Sequence, residues 1–194
     1  MQRVNLASLG IAVVMLTFVS TDSVEITWAT EKKVPVIITG GHTIGPKDFG
    51  RPVMLIAAGL GVETDVFRQA FSGVTPAKGG GPTGDEARKN KQALMNVLQP
   101  HGITNERIDE VSNYYRYQPQ RGELWPTKPA KAHAIVENGT LKKIVIDEAG
   151  SGYCSTPEIK VHGFPTAQYK VHLKLTKELK QNGSIESIDV TASK

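Results

Sequence analysis

The chain has 194 residues, 39% of them hydrophobic and 22% charged, with a formal net charge of +4 and one cysteine. These proportions describe a folded protein with a sizeable core and exclude a disordered chain. They also exclude an intramolecular disulfide, and so dilute a positive charge does not suggest a dedicated nucleic-acid binder.

The chain opens with Arg3, then an uncharged run from Leu6 to Val19, then the polar tail Ser20-Thr21-Asp22-Ser23. The run is too short for a membrane span and suits the apolar core of a secretory signal. Residues 1–23 are therefore expected to be a signal peptide ending at Ser23, with Ala29 a second candidate cleavage position. The protein is then exported, periplasmic or extracellular, with no stable membrane span after cleavage and no nucleic-acid partner. A retained amphipathic or anchoring helix is the alternative. The leader removes one base (Arg3) and one acid (Asp22), so the net charge survives cleavage.

Residues 24–117 read as a mainly helical region. Val34 to Thr39 is a strand leading into a loop, Gly40-Gly41-His42-Thr43. Pro52 belongs in a first helical turn, with Val53, Ile56, Ala57 and Leu60 along one face and Gly61 ending the run. Thr64 is expected to cap a second helix carrying Val66, Phe67, Ala70 and Phe71 on one side. Pro76 to Pro82 is a loop by composition. Thr83 followed by Glu86 predicts a capping box for a third helix, with Ala87, Leu94, Val97 and Leu98 inward. Thr104 caps a fourth, in which Ile103 and Ile108 form a hydrophobic staple and Val111 and Tyr115 continue the stripe.

Residues 118–131, with Pro119, Gly122, Pro126 and Pro129, read as an extended connector. From 132 to 194 the apolar period changes to two. Ala132 to Val136, the turn Asn138-Gly139 and Leu141 to Ile146 make a hairpin. Ile159 and Val161, then Tyr169 to Leu175, then Ile185, Ile188 and Val190 mark further strands. The expected fold class is α+β: an N-terminal cluster of about four helices followed by a small antiparallel β meander or sandwich. Residues 138–146 and 182–190, each opening on Asn-Gly, also resemble one another.

Gly150-Ser151-Gly152-Tyr153-Cys154-Ser155-Thr156-Pro157, with the preceding Asn-Gly hairpin, resembles a β-rich motif of the form G-S-G-Y-x-S-x-P. That motif recurs in bacterial extracellular and phage surface proteins, and the resemblance covers roughly residues 132–190. It implies a fold module, in which glycines permit a bend, Tyr153 plugs a small core and Pro157 stops pairing. Cys154 stands where the pattern usually has a small or polar residue. The helical half is similar to a family of exported bacterial proteins to which no activity is assigned. The segments carrying that likeness are Gly40 to His42, Gly50 to Val53, Ala70 to Val74, Thr104 to Arg107 and Val111 to Tyr117.

Four groups of residues could carry chemistry. Tyr114, Tyr115, Arg116, Tyr117, Arg121 and Trp125 form the densest aromatic cluster, and rings interleaved with arginines can stack on sugars or bases. The alternative is that these rings seal the joint between helices and connector. His42, in a Gly-rich loop near Asp48, could serve as a general base, with Glu123 a further acid-base candidate. His133, His162 and His172 lie in strand segments and could bind zinc, but neighbouring lysines oppose a cation. Cys154 lacks a paired histidine at a diagnostic spacing and reads as a structural thiol. The Ala57–Val62 turn has helix-turn-helix spacing, yet Glu63 and Asp65 oppose phosphate and an αα corner accounts for it. No P-loop, dinucleotide fingerprint, zincin helix or nucleophile elbow occurs, and no cofactor or metal is expected.

The reading that follows is an exported, non-enzymatic module whose β part and aromatic joint serve binding or envelope structure, with a polysaccharide or envelope protein as partner. A binding module should expose the Tyr114 to Trp125 cluster as a contiguous patch. The rival is a hydrolase acting on an envelope polymer through His42 and a nearby carboxylate, Asp48 or Glu123. A third reading, an assembly subunit, would leave an unpaired edge strand near Ile185 to Val190.

Overall fold

The computed structural model describes residues 31–75 and 81–192. The expected signal peptide, with its exit at Ser23 or Ala29, lies outside them, as does the Pro76 to Gly80 part of the predicted loop. In chain order the elements are β1 (Glu31–Gly40), α1 (Val53–Leu60), α2 (Thr64–Ser72), α3 (Gly84–Leu98), α4 (Asn105–Tyr114), β2 (Lys131–Glu137), β3 (Thr140–Glu148), β4 (Pro157–Val161), β5 (Gln168–Lys174) and β6 (Ser184–Ala192). The fold is α+β, with the helices ahead of the antiparallel strands and β1 alone preceding them.

Local sequence accounts for most helix ends. Thr83 accepts from Glu86 N–H, and the Glu86 carboxylate accepts from Thr83 N–H at 2.8 Å, completing the capping box of α3. Thr104 accepts from Arg107 N–H at 3.3 Å to start α4. Gly61, at φ 79°, closes α1 in a Schellman motif, with Val62 N–H to Ala57 O and Gly61 N–H to Ala58 O. Two starts fall one residue from expectation. Pro52 caps α1 from outside, and Glu63, not Thr64, occupies the cap of α2 without a side-chain bond.

Helix α1 is apolar on nearly every face and forms the centre of the helical cluster, burying Val53, Leu55, Ile56, Ala57 and Leu60. Phe67 and Ala70 of α2, Leu98 of α3, and Ile108 and Val111 of α4 close around it, with Ile103, Tyr115, Trp125 and Leu179. The predicted stripe of α3 is only partly inward. Leu98 is fully buried and Leu94 and Val97 half-buried, but Ala87 is exposed. The N-terminal half of α3 faces an open cleft rather than a packed neighbour.

The strands form a four-stranded sheet of order β3-β2-β1-β4 and a two-stranded ribbon, β5-β6. The first half of β1 pairs antiparallel with β2 (Val34 opposite Ala134) and its second half with β4 (Ile38 opposite Ile159). Strand β1, which precedes the helices, thus joins the sheet built by the C-terminal half. Asn138 (φ 49°) and Gly139 (φ 77°) both take the left-handed region between the paired Glu137 and Thr140, the conformation a two-residue type I′ hairpin needs.

The ribbon covers the inner face of the sheet. Ile185 and Ile188 of β6 pack with Tyr153 and Ile159, and with half-buried Val36, Ile38, Ile144, Ile146 and Val171. A second cluster at the other end holds Val34, Ala134, Val136, Leu141 and Val161. The start of β6 lies against the end of β3, where Ile185 N–H donates to Ala149 O at 2.9 Å.

The segment Ser151 to Ser155 ties these parts together. Ser151 exchanges two backbone bonds with Lys128, and Tyr153 N–H donates to Gly183 O at 2.9 Å. Cys154 and Ser155 N–H both donate to Gly41 O, and the Tyr153 hydroxyl accepts from Ala130 N–H at 2.9 Å. Loop 40–43, the connector and the β5–β6 loop are all anchored on these few residues.

Candidate functional site

The aromatic cluster divides between core and surface. Trp125 is 2% exposed, and its indole N–H donates to Gly152 O at 2.9 Å. The Tyr117 ring meets it edge to face at 5.3 Å, and the Tyr117 hydroxyl donates to Gly50 O. Tyr115 is 1% exposed, and burial pushes its phenol up to about 12. Tyr114 is half-buried and packs edge to face on Tyr115 at 5.0 Å. Arg116 and Arg121 are exposed, Arg121 ending a single 3₁₀ turn. Of the two arrangements the sequence allows, a contiguous surface of rings and arginines or a seal at the joint, Trp125 and Tyr115 take the second. Large apolar rings gain most by leaving water, and Trp125 and Tyr115 do so at the joint between the helices and the β module.

The acid-base candidates are each engaged with other groups. The His42 ring stacks on Tyr153 at 5.1 Å and meets Trp125 edge-on at 6.1 Å. Burial lowers its pKa from the ordinary 6.5, and its Nε2 is buried without a hydrogen-bond partner. The Asp48 carboxylate is bound by Arg68 at 2.9 Å, through both Nε and the terminal nitrogen. Glu123 accepts from Gln118 N–H at 3.1 Å. The Cys154 thiol points to Thr43 O at 3.5 Å, and burial, reinforced by the Asp48 charge, pushes it up to about 11. Such a thiol is a poor nucleophile.

The histidines of the strands are separated. His133 bonds both oxygens of Asp147 at 2.9 Å, and His172 bonds Asp189 at 3.0 Å. Each aspartate sits diagonally across a strand pair from its histidine. His162 lies beyond β4, beside an open groove of 810 Å³ along β1. Among the described residues no three histidine, cysteine or carboxylate groups gather as a metal site. No helix among them is long and apolar enough to cross a membrane.

The concave feature with the most varied chemistry lies among α2, α3 and α4. It has a volume of 370 Å³, within the range of about 300–1,000 Å³ common for small-molecule sites. Its apolar wall is Ile56, Phe67, Phe71, Leu94 and Ile108, and its polar groups include Arg51, Asn90, Ser112 and Arg116. Two residues of the aromatic cluster, Tyr115 and Arg116, line it. A second hollow of 430 Å³ shares Arg51, Phe71, Val74 and Asn90 with it and adds Phe49 and Pro82. Asn90 of α3 exchanges two hydrogen bonds with the Thr75 backbone, each 2.9 Å, and so fixes the wall between the hollows.

Sequence patterning marks Ile56, Phe67, Phe71, Leu94 and Ile108 as core faces of helices, and gives Arg51, within the Gly50 to Val53 segment, no role of its own. A helical stripe carries the same period whether the facing surface is packed or left open, so the cleft has no signature of its own. No family model, curated protein or solved structure matches this chain.

Proposed function

We propose that the protein is an exported binding module and that the cleft among α2, α3 and α4 is its ligand site. Export rests on Arg3 and the uncharged run from Leu6 to Val19. The observation that carries the binding reading is the cleft itself, concave, with an apolar wall and a rim of polar and charged groups that includes Arg51, Asn90, Ser112 and Arg116. Its apolar lining favours a small molecule over a polysaccharide chain, because the rings that would stack on sugars, Trp125 and Tyr115, are in the core. The hydrolase reading is less favoured, since Asp48 is committed to Arg68 and His42 to an aromatic stack.

Ala87 lines the cleft yet is exposed, so Ala87→Phe fills the site without disturbing packed neighbours. A thermal-shift screen of small molecules, polysaccharides and envelope proteins against both forms tests the reading. Ligands that stabilise the native protein and not Ala87→Phe support it, whereas ligands indifferent to that change place binding elsewhere. Intact-mass analysis of the protein from its host tests export, with a mature chain beginning at Val24 or Thr30 expected. A full-length intracellular product overturns the export part.

A further inference from the structure

Resting on that binding reading, we infer that the cleft takes an amphiphile, an apolar chain or ring system bearing one anionic head of carboxylate or phosphate type, with Arg51 and Arg116 receiving the head. The charges around the cleft single these two out. Lys91 of α3 and Asp109 of α4 face each other on its wall in a 2.7 Å ion pair and offset one another. Arg68, Arg88 and Arg107 each hold a carboxylate, from Asp48 and Asp65, Asp85, and Glu110 respectively. Arg51 and Arg116 have no carboxylate partner among the described residues, yet both line the same concavity.

A guanidinium beside a low-dielectric wall attracts an anion more strongly than one surrounded by water, and its planar fork matches carboxylate and phosphate oxygens. The wall that adjoins it here is Ile56, Phe67, Phe71, Leu94 and Ile108. Arg51 also borders the second hollow, which shares Phe71 and Val74 with the cleft and extends the apolar surface with Pro82. Phe49, at the edge of that hollow, is 74% exposed and held at φ 47°, a left-handed conformation unfavourable for a phenylalanine. An exposed phenyl kept there on strained backbone continues the apolar path outward. A hydrophilic anion would leave this surface unused, and a neutral apolar ligand would leave both arginines unanswered.

The test is calorimetric titration of the full mature chain with decanoate, decyl phosphate, decanol, decyltrimethylammonium and inorganic phosphate, each amphiphile below its micelle concentration. Decanoate or decyl phosphate is expected to bind at least about tenfold more tightly than decanol, with no measurable binding of the cation or of phosphate alone. Which of the two anions binds better identifies the head. In Arg51→Gln/Arg116→Gln the anions fall to the affinity of decanol, whose own binding is unchanged. Both arginines lie outside the buried core, so this variant folds, and its unchanged thermal midpoint checks that. Equal binding of decanoate and decanol, or anion binding untouched by the double variant, overturns the head-group inference. If Ala87→Phe still blocks decanol in that case, the cleft remains a ligand site. Decanoate binding that ignores Ala87→Phe instead removes the cleft reading itself, and binding of none of the amphiphiles overturns the inference.

Discussion

The side-chain amide of Asn182 donates to the Tyr115 hydroxyl at 2.9 Å, and both residues are in the protein interior. The same nitrogen donates to Leu55 O at 2.7 Å, and the amide oxygen accepts from Thr176 N–H at 3.0 Å. One fully buried side chain of the β5–β6 loop thereby joins α1, the end of α4 and its own loop. Leu179, from the same loop, enters the helical core. The helices and the β module are docked through this loop, and Tyr115 carries the docking to the wall of the cleft.

Breaking that knot is expected to cost stability out of proportion to the size of the change. Asn182→Ala strands Leu55 O, the Thr176 N–H and the Tyr115 hydroxyl in the interior, for a loss on the order of 2–3 kcal/mol. Tyr115→Phe removes a single partner and should cost about 1–2 kcal/mol. Urea unfolding of the single and double variants checks this. The double variant should be less destabilised than the sum, by about 1 kcal/mol, and strict additivity would show that the two groups do not act as a pair.

The two Asn-Gly pairs differ in what surrounds them. At Gly139 (φ 77°) a methyl would meet nothing within 4 Å, whereas at Gly183 (φ 68°) it would lie 2.4 Å from Tyr153 O and 2.6 Å from Leu55 Cδ2. Gly139→Ala is therefore expected to cost only the left-handed backbone penalty, about 1–2 kcal/mol. Gly183→Ala adds a backbone overlap at the docking point and should lose at least twice as much. Equal midpoint shifts for the two in thermal unfolding would contradict this account.

Acid should weaken the joint through His42. Burial disfavours the imidazolium, so the folded pKa lies below the ordinary 6.5. The unfolded chain then binds more protons below that pH, so the contribution is intact above about 6.5 and is lost as pH falls towards the folded value. His42→Phe keeps a ring between Tyr153 and Trp125 but cannot be protonated. Its urea midpoint should fall less than that of the native protein between pH 7.5 and 5. His133–Asp147 and His172–Asp189 are common to both proteins, so the difference reports on His42. Parallel pH profiles would mean that protonating His42 costs the fold nothing.

Cys154 should be nearly inert while the protein is folded. With burial pushing the thiol from 9.0 to about 11, its thiolate is roughly a hundredfold scarcer at pH 8 than in the unfolded chain. Alkylation by iodoacetamide, followed by intact mass, should be slower by about tenfold or more in buffer than in concentrated urea, since the greater nucleophilicity of a more basic thiolate offsets part of its scarcity. Comparable rates would mean the thiol is exposed and reactive.

Features governed by neighbours in the chain were legible without coordinates. The Thr83–Glu86 capping box closes over three residues, and the Asn138-Gly139 turn needs only two residues that tolerate positive φ. The change of apolar period near the connector separates helices from strands, because burial on one face follows the repeat of the backbone itself. The aromatic cluster around Trp125 and Tyr115 fits either a binding surface or a seal at the joint, since such a cluster carries no mark of which side will be buried, and the structure buries both rings at the joint.

What the amino-acid order determined alone is the class of each segment: a run of four helices, a strand before them and antiparallel strands after. Only the tertiary structure decided that β1 lies between β2 and β4, with Asp48 captured by Arg68 and His42 enclosed by Tyr153 and Trp125. It also separated Asn138 from Asn182. Both precede glycine, yet one is an exposed turn and the other is bonded to Leu55, 127 residues away in the chain. The dihedral preferences of two residues suffice for a turn, but a buried amide is set by what has already packed around it, and those partners are far away in sequence.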